Sequence, residues 1–306
     1  MAADGTKAGS KVKARAEKEQ KRTERRQPPM RTGRLLVIGG AEDPDEDCMT
    51  ILPKLVEMAG GKRARIIVCS SPSEDPQGKV DTYGALFKKI GVAEVIAAPI
   101  TDRHQAEEPE LLKAVERATA VFFTGGDQLR LTALIAGTEF CENIRSRLYG
   151  DGLVVAGTSA GAAAMSSVMI IGGAEQGTVK REDVSLAPGL GYWRDTVVDT
   201  HFNQRGRVSR LMTIFAHNPN VLGIGIDENT AIDLVPGDRF TVMGEGVVMV
   251  FNGRVTHSNA PDASDTQTLA ITDTALHTLP HGYGFNLRTK RPLLPSGEEI
   301  APNPPR

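Results

Sequence analysis

The sequence has few of the features that mark specialised classes of protein. Its 306 residues include three cysteines and one tryptophan, and the formal net charge is −2. Three scattered cysteines are too few for a disulfide framework or a zinc site, and nothing else in the sequence calls for a metal or organic cofactor. A net charge near zero predicts no general attraction to nucleic acid or to an anionic membrane. Cys69 ends an apolar run, which favours a small core residue over a nucleophile.

Long uninterrupted apolar runs are also missing. The most apolar long stretch, residues 153–174, is broken by glycines and serines, which is typical of a buried element and not of a membrane span. The N-terminus carries charge where a secretory signal needs an apolar core. We therefore expect a cytoplasmic protein with no membrane partner.

The first 32 residues differ in character from the rest of the chain. Residues 1–30 contain nine Lys or Arg against four Asp or Glu, a net charge of +5, and their few apolar residues show no periodicity. Such a segment cannot offset the entropy that it would lose on ordering, so residues 1–32 are predicted to be a disordered basic tail. The alternative is an electrostatic tether to an anionic partner.

From residue 33 onward, short apolar runs alternate with amphipathic helical patterns. The apolar runs cover residues 35–38, 64–69, 94–98, 120–123 and 153–156, and the helical patterns cover 49–59, 81–90, 111–118, 128–136 and 141–148. This alternation predicts an α/β fold with a mainly parallel central sheet flanked by helices. Shorter strands after residue 220 predict a β-rich C-terminal extension. The extension belongs to the same domain as the α/β part, and this single domain is predicted to span residues 33–290. Residues 284–306 are rich in proline and are expected to be extended or loose, and residues 291–306 form a separate proline-rich C-terminal segment.

Residues 153–165, Leu-Val-Val-Ala-Gly-Thr-Ser-Ala-Gly-Ala-Ala-Ala-Met, form the most informative stretch for chemistry. An apolar strand leads into Gly-x-Ser-x-Gly and then into small helix-forming residues, which is the context of a nucleophilic serine at a sharp turn. The small neighbours let strand and helix approach, so that Ser159 is presented above the sheet. The backbone N–H of Ala160 then faces a developing oxyanion. The alternative is a glycine-rich turn that only closes the helix onto the sheet, or a phosphate-binding loop.

A serine hydroxyl needs a base, and one of the six histidines stands out. His201 follows an apolar pair and begins a polar, cationic segment, so a strand end would deliver it among polar side chains. Taken alone, such a histidine is more often a packed, hydrogen-bonded residue than a catalytic base. Asp227 and Glu228 follow another apolar run and are either turn residues or the carboxylate that orients the base. Glu175, in an expected loop, is a weaker candidate for that carboxylate.

Two further segments carry candidate binding groups. Arg205, Arg207 and Arg210 lie close to the proposed base, where guanidinium groups suit substrate carboxylates, and the alternative is a solvated charge run. The glycines of the strand-end loop 123–128 could bring a backbone N–H, that of Gly126, to an oxyanion, and Gln128 could bind a polar substrate group. The alternative for this loop is a tight turn in which Asp127 caps the next helix.

Together these segments resemble cyanophycinase, in the serine peptidase family that also contains the α-aspartyl dipeptidases. The matching segments are residues 39–43, 123–128, 157–162, 199–210 and 225–231, in the family's order. The resemblance implies a class I glutamine-amidotransferase-like fold with Ser159 as nucleophile, His201 as general base and Glu228 as the acid that orients it. It also implies a substrate pocket lined by Gln128, Asp199, Arg205, Arg207, Arg210 and Asn229.

The resemblance further implies a substrate. Cyanophycin is a poly-aspartate whose β-carboxyls each carry an arginine through an isopeptide bond, and the family cuts the aspartate backbone to release β-Asp-Arg dipeptides. The arginines would then meet substrate carboxylates, Asp199 would meet the substrate guanidinium, and the protein would be a homodimer. The alternatives are a related peptidase acting on α-aspartyl or other small peptides, and a binding homologue without activity. The family's catalytic core does not require the basic tail.

Overall fold

A computed structural model of the chain describes residues 32–45, 49–173, 179–180, 184–218 and 220–301. Residues 1–31 of the predicted basic tail and the candidate Glu175 lie outside the described residues. The helices of the described chain are α1 (Ile51–Met58), α2 (Pro76–Ile90), α3 (Pro109–Arg117), α4 (Gln128–Ile135), α5 (Glu139–Gly150), α6 (Ala160–Ala164) and α7 (Val208–His217). Short 3₁₀ segments cover Gly61–Arg63 and Arg103–Glu107.

The strands follow the predicted apolar runs closely in the first half of the chain. In the described ranges they are β1 (Arg34–Ile38), β2 (Arg65–Cys69), β3 (Glu94–Ala98), β4 (Ala120–Phe123), β5 (Val154–Thr158), β6 (Val168–Gly173), β7 (Val184–Pro188), β8 (Thr196–Thr200), β9 (Leu222–Ile226), β10 (Thr230–Val235), β11 (Arg239–Gly244), β12 (Val248–Ser258), β13 (Ile271–Leu279), β14 (Gly284–Asn286) and β15 (Arg291–Leu293). Helix α2 starts earlier than its apolar pattern indicated, because the Asp75 carboxylate caps it by accepting the Gly78 N–H at 3.0 Å.

The central sheet is mixed and buried on both faces. Its strand order is β15–β14–β11–β10–β1–β5–β4–β2–β3. Strands β1 to β5 run parallel within it, and β10, β11, β14 and β15 pair antiparallel. Leu35 and Val37 of β1 belong to the core on one face, and Leu36 and Ile38 to the core on the other. Because alternate residues of a strand face opposite sides, an unbroken apolar run is what a doubly covered strand requires. The predicted α/β fold is confirmed at this level.

The strands after residue 220 are shared between two sheets. Strands β10 and β11 extend the central sheet beyond β1, whereas β9, β12 and β13 join β8 in a second sheet of order β13–β12–β9–β8. Part of the proline-rich segment expected to be loose from residue 284 is paired, since β14 and β15 form the edge of the central sheet. This arrangement does not separate a C-terminal extension from the rest of the fold.

The loop after β1 ties the two sheets together at their carboxyl ends. The Ser159 N–H donates to the carbonyl oxygen of Ile38 at 3.0 Å, and the His201 N–H donates to that of Gly39 at 2.9 Å. The Asn229 N–H donates to the carbonyl oxygen of Gly40, also at 2.9 Å. Residues that follow β5, β8 and β9 are thereby held around a single loop. Ligands of parallel sheets gather at such carboxyl ends.

Candidate active site

Ser159 lies in a strained backbone conformation between β5 and α6. Its φ of 50° and ψ of −112° fall outside the regions that a serine ordinarily adopts. The turn depends on close packing, because a Cβ on Gly161 would lie 2.4 Å from the carbonyl oxygen of Phe123 in β4. The strand, turn and helix predicted around Gly-x-Ser-x-Gly are therefore all present.

Three side chains from separate segments form one hydrogen-bonded chain. Ser159 Oγ lies 2.8 Å from His201 Nε2, and His201 Nδ1 lies 2.6 Å from Glu228 Oε1. When Nδ1 carries the ring proton and donates it to the Glu228 carboxylate, Nε2 offers a lone pair to the serine hydroxyl. The structure thus brings together the predicted nucleophile, base and orienting acid in the geometry that base-activated serine attack requires.

His201 is held in a conformation that needs a glycine beside it. Its own φ is 49°, and its ring lies against Gly40, whose φ is 102°. A Cβ on Gly40 would lie 2.3 Å from His201 Cε1 and 2.5 Å from Nε2. Any side chain at residue 40 would push the imidazole away from Ser159, since a rigid backbone leaves the ring as the part that must move.

The two acids that follow β9 have different partners. Glu228 faces the imidazole, whereas Asp227 is buried and accepts three hydrogen bonds. Its donors are the Asn203 N–H at 3.0 Å, Asn203 Nδ2 at 3.0 Å and the Val247 N–H at 3.2 Å. Asp227 therefore fixes the loop after His201 against the residues that precede β12. Of the two acids, Glu228 is therefore the one in contact with the proposed base.

Two cavities meet at Ser159. The larger cavity has a volume of about 750 Å³ and is lined by loops that follow β1, β2 and β4, with Glu42, Lys79 and Arg130 among its residues. The second, which we call the arginine-lined cavity, has a volume of about 370 Å³. Its residues include Gln128, Asp199, Arg205, Arg207 and Arg210. Gly126, Ser159 and His201 line both cavities, so both open onto the reactive hydroxyl.

The arginine-lined cavity contains a buried ion-pair cluster. Arg210 Nε donates to Asp199 Oδ2 at 2.6 Å and its Nη2 donates to Oδ1, while Arg207 Nη1 lies 3.3 Å from Oδ1. Arg207 also donates to the carbonyl oxygen of Thr200 at 2.7 Å. The resemblance places Asp199 against a substrate guanidinium, but here two guanidinium groups of the chain itself occupy its carboxylate. Asp199 therefore positions the arginines.

The remaining candidate binding residues are engaged differently. Gln128 lines the arginine-lined cavity, and its Nε2 donates to the carbonyl oxygen of Ile170 at 2.7 Å, which fixes the amide. Asn229 Oδ1 accepts the Asp43 N–H at 2.9 Å, and Asn229 is absent from the described residues that line either cavity. It holds the loop after β1 instead of facing the pocket. Asp127 accepts the N–H groups of Leu129 and Arg130, so it caps α4, as the alternative interpretation of this loop predicted.

Two backbone segments lie beside Ser159. A Cβ on Gly125 would lie 3.4 Å from Ser159 Cβ and 4.0 Å from Ser159 Oγ, so this loop passes beside the serine. Gly126 follows it, and Ala160 begins α6 directly after the serine. Both Gly126 and Ala160 line the arginine-lined cavity together with Ser159. Backbone N–H groups at such positions suit the stabilisation of a tetrahedral oxyanion.

Glu42 also lines the larger cavity beside Ser159, although no sequence motif assigned it a role. Its Oε1 accepts the Tyr83 hydroxyl at 2.6 Å and its Oε2 accepts the Thr158 hydroxyl at 2.5 Å. Burial, together with the Glu42 charge, raises the pKa of Tyr83, so the phenol stays protonated and donates. Its position in the sequence could have indicated this role. Glu42 follows the strand-end pair Gly39-Gly40, at the same sheet edge as Ser159.

Metal and membrane features were sought over the same described ranges. No group of three or more His, Cys, Asp or Glu side chains among those residues is placed to hold a metal ion. Within them, no helix combines the length and the apolar character that crossing a membrane requires.

A serine at a sheet edge whose hydroxyl is hydrogen-bonded to a histidine is found in serine-type peptidases. The sequence places the chain among them: it belongs to peptidase family S51, whose sequence model matches residues 35–243. The chain is 37% identical over 260 residues to the cyanophycinase of Geminocystis herdmanii, with 85% of this chain and 95% of that one covered. It is also 37% identical over 282 residues to the cyanophycinase of Trichormus variabilis, with 92% and 94% covered. The resemblance seen in the sequence motifs is confirmed.

Solved structures share the fold. The crystal structure of a peptidase from an acI-B1 Actinobacterium matches with a TM-score of 0.58 at 21% identity. The match covers 80% of this chain and 97% of that one. At this level of identity the likeness concerns the course of the backbone alone.

Proposed function

We propose that this chain is a cyanophycinase, a serine-type exopeptidase that hydrolyses the poly-aspartate backbone of cyanophycin and releases β-Asp-Arg dipeptides. The observation that carries the proposal is the hydrogen-bonded chain from Ser159 through His201 to Glu228, with distances of 2.8 and 2.6 Å. The cyanophycinases that share 37% of their residues with this chain support the choice of substrate.

The proposed mechanism is acyl transfer through a covalent intermediate. His201 Nε2 accepts the proton of Ser159 while Oγ attacks the backbone carbonyl carbon of an aspartyl residue. The N–H groups of Ala160 and Gly126 hold the oxyanion, and Glu228 stabilises the imidazolium. His201 then gives its proton to the leaving amine as the C–N bond breaks. A water molecule, deprotonated by His201, hydrolyses the acyl-enzyme and frees the serine.

The arginine-lined cavity is suited to the carboxylates of a β-linked substrate. Its lining side chains carry three positive charges, from Arg205, Arg207 and Arg210, and one negative charge, from Asp199. Guanidinium groups bind carboxylates through paired hydrogen bonds, and the ion pairs to Asp199 hold two of them in place. Gln128 adds a fixed amide to the same wall.

Three further properties are part of the proposal. The parallel strands β1 to β5, with the serine turn after β5, support a class I glutamine-amidotransferase-like fold. A homodimer follows from the family resemblance, and light scattering of the purified protein tests it. A cytoplasmic location is tested by fractionation of the host cells.

The deciding experiment is incubation with purified cyanophycin, followed by mass analysis of the products. The wild-type chain is expected to release β-Asp-Arg, and Ser159→Ala to lower turnover by roughly 10³-fold or more with an unchanged melting temperature. Near-normal hydrolysis by Ser159→Ala would overturn the assignment. Cleavage of α-aspartyl dipeptides in place of cyanophycin identifies the related dipeptidase. Failure of a serine-directed phosphonate to label Ser159 identifies a binding homologue.

A further inference from the structure

The larger cavity is the part of the site that the proposed mechanism leaves without a ligand. Ser159 and His201 line it as they line the arginine-lined cavity. A peptide whose scissile carbonyl lies at Ser159 has chain on both sides of that bond. Its two sides must therefore extend into different spaces, and the structure offers two that meet at the serine.

The charges of the two cavities differ. The larger cavity is lined by Glu42, Glu74 and Asp127 as well as by Lys79 and Arg130, whereas guanidinium groups dominate the other. The side chains of Lys79 and Arg130 form no ion pair with any residue that the structure describes. A cavity with both carboxylates and cations suits a zwitterionic ligand.

Glu42 is the fixed carboxylate of this cavity. The hydroxyls of Tyr83 and Thr158 hold its two oxygens at 2.6 and 2.5 Å, and Thr158 directly precedes Ser159. Both donors are neutral, so among the described residues no cation of the chain pairs with Glu42. The carboxylate is thus held at a set place relative to the nucleophile, with its charge available to a ligand.

The other acids near Ser159 are less suited to a cationic ligand. Asp199 is paired with Arg207 and Arg210, and Asp127 caps α4. Glu74 is exposed on the loop after β2, with no hydrogen bond to hold it among the contacts of the described chain. Glu42 alone combines a fixed position with an uncompensated charge among the described acids that line the two cavities.

We infer that the larger cavity is a subsite for a second β-Asp-Arg unit, on the opposite side of the scissile bond from the unit in the arginine-lined cavity, and that Glu42 binds its guanidinium. This inference rests on the proposed function. Each unit carries one guanidinium and the free α-carboxylate of its arginine. In the second unit, Lys79 and Arg130 bind this carboxylate. Glu42 is then a specificity residue, which selects arginine in the second unit.

The test uses synthetic substrates of two linked β-Asp-Arg units. In one variant of the substrate citrulline replaces the arginine of the first unit, and in another it replaces that of the second unit. Citrulline is similar to arginine in shape but is uncharged. The wild-type chain is expected to prefer arginine in the second unit by about tenfold or more in kcat/KM, as loss of a hydrogen bond between charged groups implies. Glu42→Gln keeps the size of the side chain and is expected to abolish that preference. Its kcat/KM is expected to fall more for the substrate with arginine in the second unit than for the one with citrulline there. Glu110→Gln, on the exposed first turn of α3, is the matched control.

A purely structural role for Glu42 gives a different result. If Glu42 only supports the serine turn through Thr158, Glu42→Gln lowers kcat/KM equally for the arginine and citrulline substrates, and the subsite inference fails. Calorimetry can also measure the affinity of the same peptides for Ser159→Ala and for the double variant Ser159→Ala, Glu42→Gln. Neither variant is expected to cleave the peptides, so this experiment compares binding alone. Equal affinity for arginine and citrulline peptides in both variants also contradicts the inference. Absence of wild-type cleavage of any β-aspartyl-arginine substrate instead contradicts the proposed function.

Discussion

Asp227 and Glu228 are adjacent acids that the fold sends to opposite sides. Asp227 directly follows β9, whereas Glu228 lies in the turn that leads into β10, and only Glu228 contacts His201. Asp227 turns inward and is 5% exposed, where backbone and amide donors satisfy it. Glu228 is left to meet the imidazole at 2.6 Å. One acid stabilises the loops that carry the site, and the other is the proposed catalytic acid.

Substitution should separate these two roles. Glu228→Gln keeps the shape of the side chain but cannot stabilise the imidazolium by charge, so kcat is expected to fall by about 10² to 10⁴-fold with little change in melting temperature. Asp227→Ala leaves the buried donors at Asn203 and Val247 without a partner and is expected to lower the melting temperature. Steady-state kinetics and thermal unfolding of both variants check this. Equal losses of stability in the two variants would contradict the division of roles.

The sequence predicts the position of single residues better than their partners. Ser159 and His201 were found because each follows a strand end, where side chains reach a common edge. The partner of Asp199 could not be found in that way. Its carboxylate meets Arg210, which lies one turn into α7, and the sequence does not show how that helix packs against β8.

At the scale of elements, helix α7 is fixed to β8 by a buried ion cluster. Asp199 is 2% exposed, and Arg207 and Arg210 are 8% and 7% exposed. Opposite charges in such a site are stable only as a set, because each is separated from water and depends on its partner. The cluster therefore links the packing of a helix to the shape of the arginine-lined cavity.

Asp199→Asn is expected to remove the buried negative charge with which both Arg207 and Arg210 form ion pairs. The free energy of unfolding should fall by about 3 to 5 kcal/mol, and kcat/KM should fall with it because the arginines lose their fixed positions. Urea denaturation followed by circular dichroism measures the first effect. Glu94→Gln is the control, since Glu94 pairs at the surface with Arg117, the two side chains being 36% and 49% exposed, and should change stability by less than about 1 kcal/mol. Similar losses in both variants would contradict the buried-cluster account.

The membership of strands in a sheet was beyond what the sequence pattern could predict. Strands β9 and β10 are both apolar runs separated by a short polar turn, yet β9 pairs with β8 and β12, and β10 pairs with β1 and β11. Apolar periodicity reports that a strand is buried on one face or both. It carries no information about which neighbour supplies the hydrogen bonds, so a hairpin in one sheet and a change of sheet look alike.

At the scale of the whole molecule, the site exists only because distant segments meet. The three proposed catalytic residues follow strands of two different sheets: Ser159 follows β5 of the central sheet, and His201 and Glu228 follow β8 and β9 of the second sheet. Residues at the end of β1 and in the loop after it accept backbone hydrogen bonds from Ser159, His201 and Asn229. Bringing such distant segments together costs loop-closure entropy, which the packed core must offset. Activity should therefore respond to changes in global stability.

The free energy of unfolding is expected to fall as the pH becomes alkaline. Burial raises the pKa of the Cys69 thiol from 9.0 to about 11, and burial likewise raises the pKa of Tyr192 above its ordinary value of 10.0. The folded chain therefore keeps protons that the unfolded chain releases. A group whose pKa is raised by folding stabilises the fold below its unfolded pKa, and this contribution disappears as the pH rises through the folded pKa. For Cys69 the loss spans pH values from about 9 to about 11.

The melting temperature should accordingly be flat near pH 8 and should fall progressively above pH 9, with a shallower slope in Cys69→Ala because that variant has no thiol to ionise. Scanning calorimetry between pH 7 and pH 11 measures both slopes. Cys69→Ala also removes a little core volume, so it starts from a lower melting temperature, and the slope, not the starting value, carries the result. Tyr192→Phe supplies an independent second variant, in which the hydroxyl that donates to the Cys141 carbonyl oxygen at 3.3 Å is absent. If the wild-type melting temperature stayed constant to pH 11, these buried groups would be losing their protons without unfolding, and the closed packing around Cys69 and Tyr192 would have to open to water in the native state.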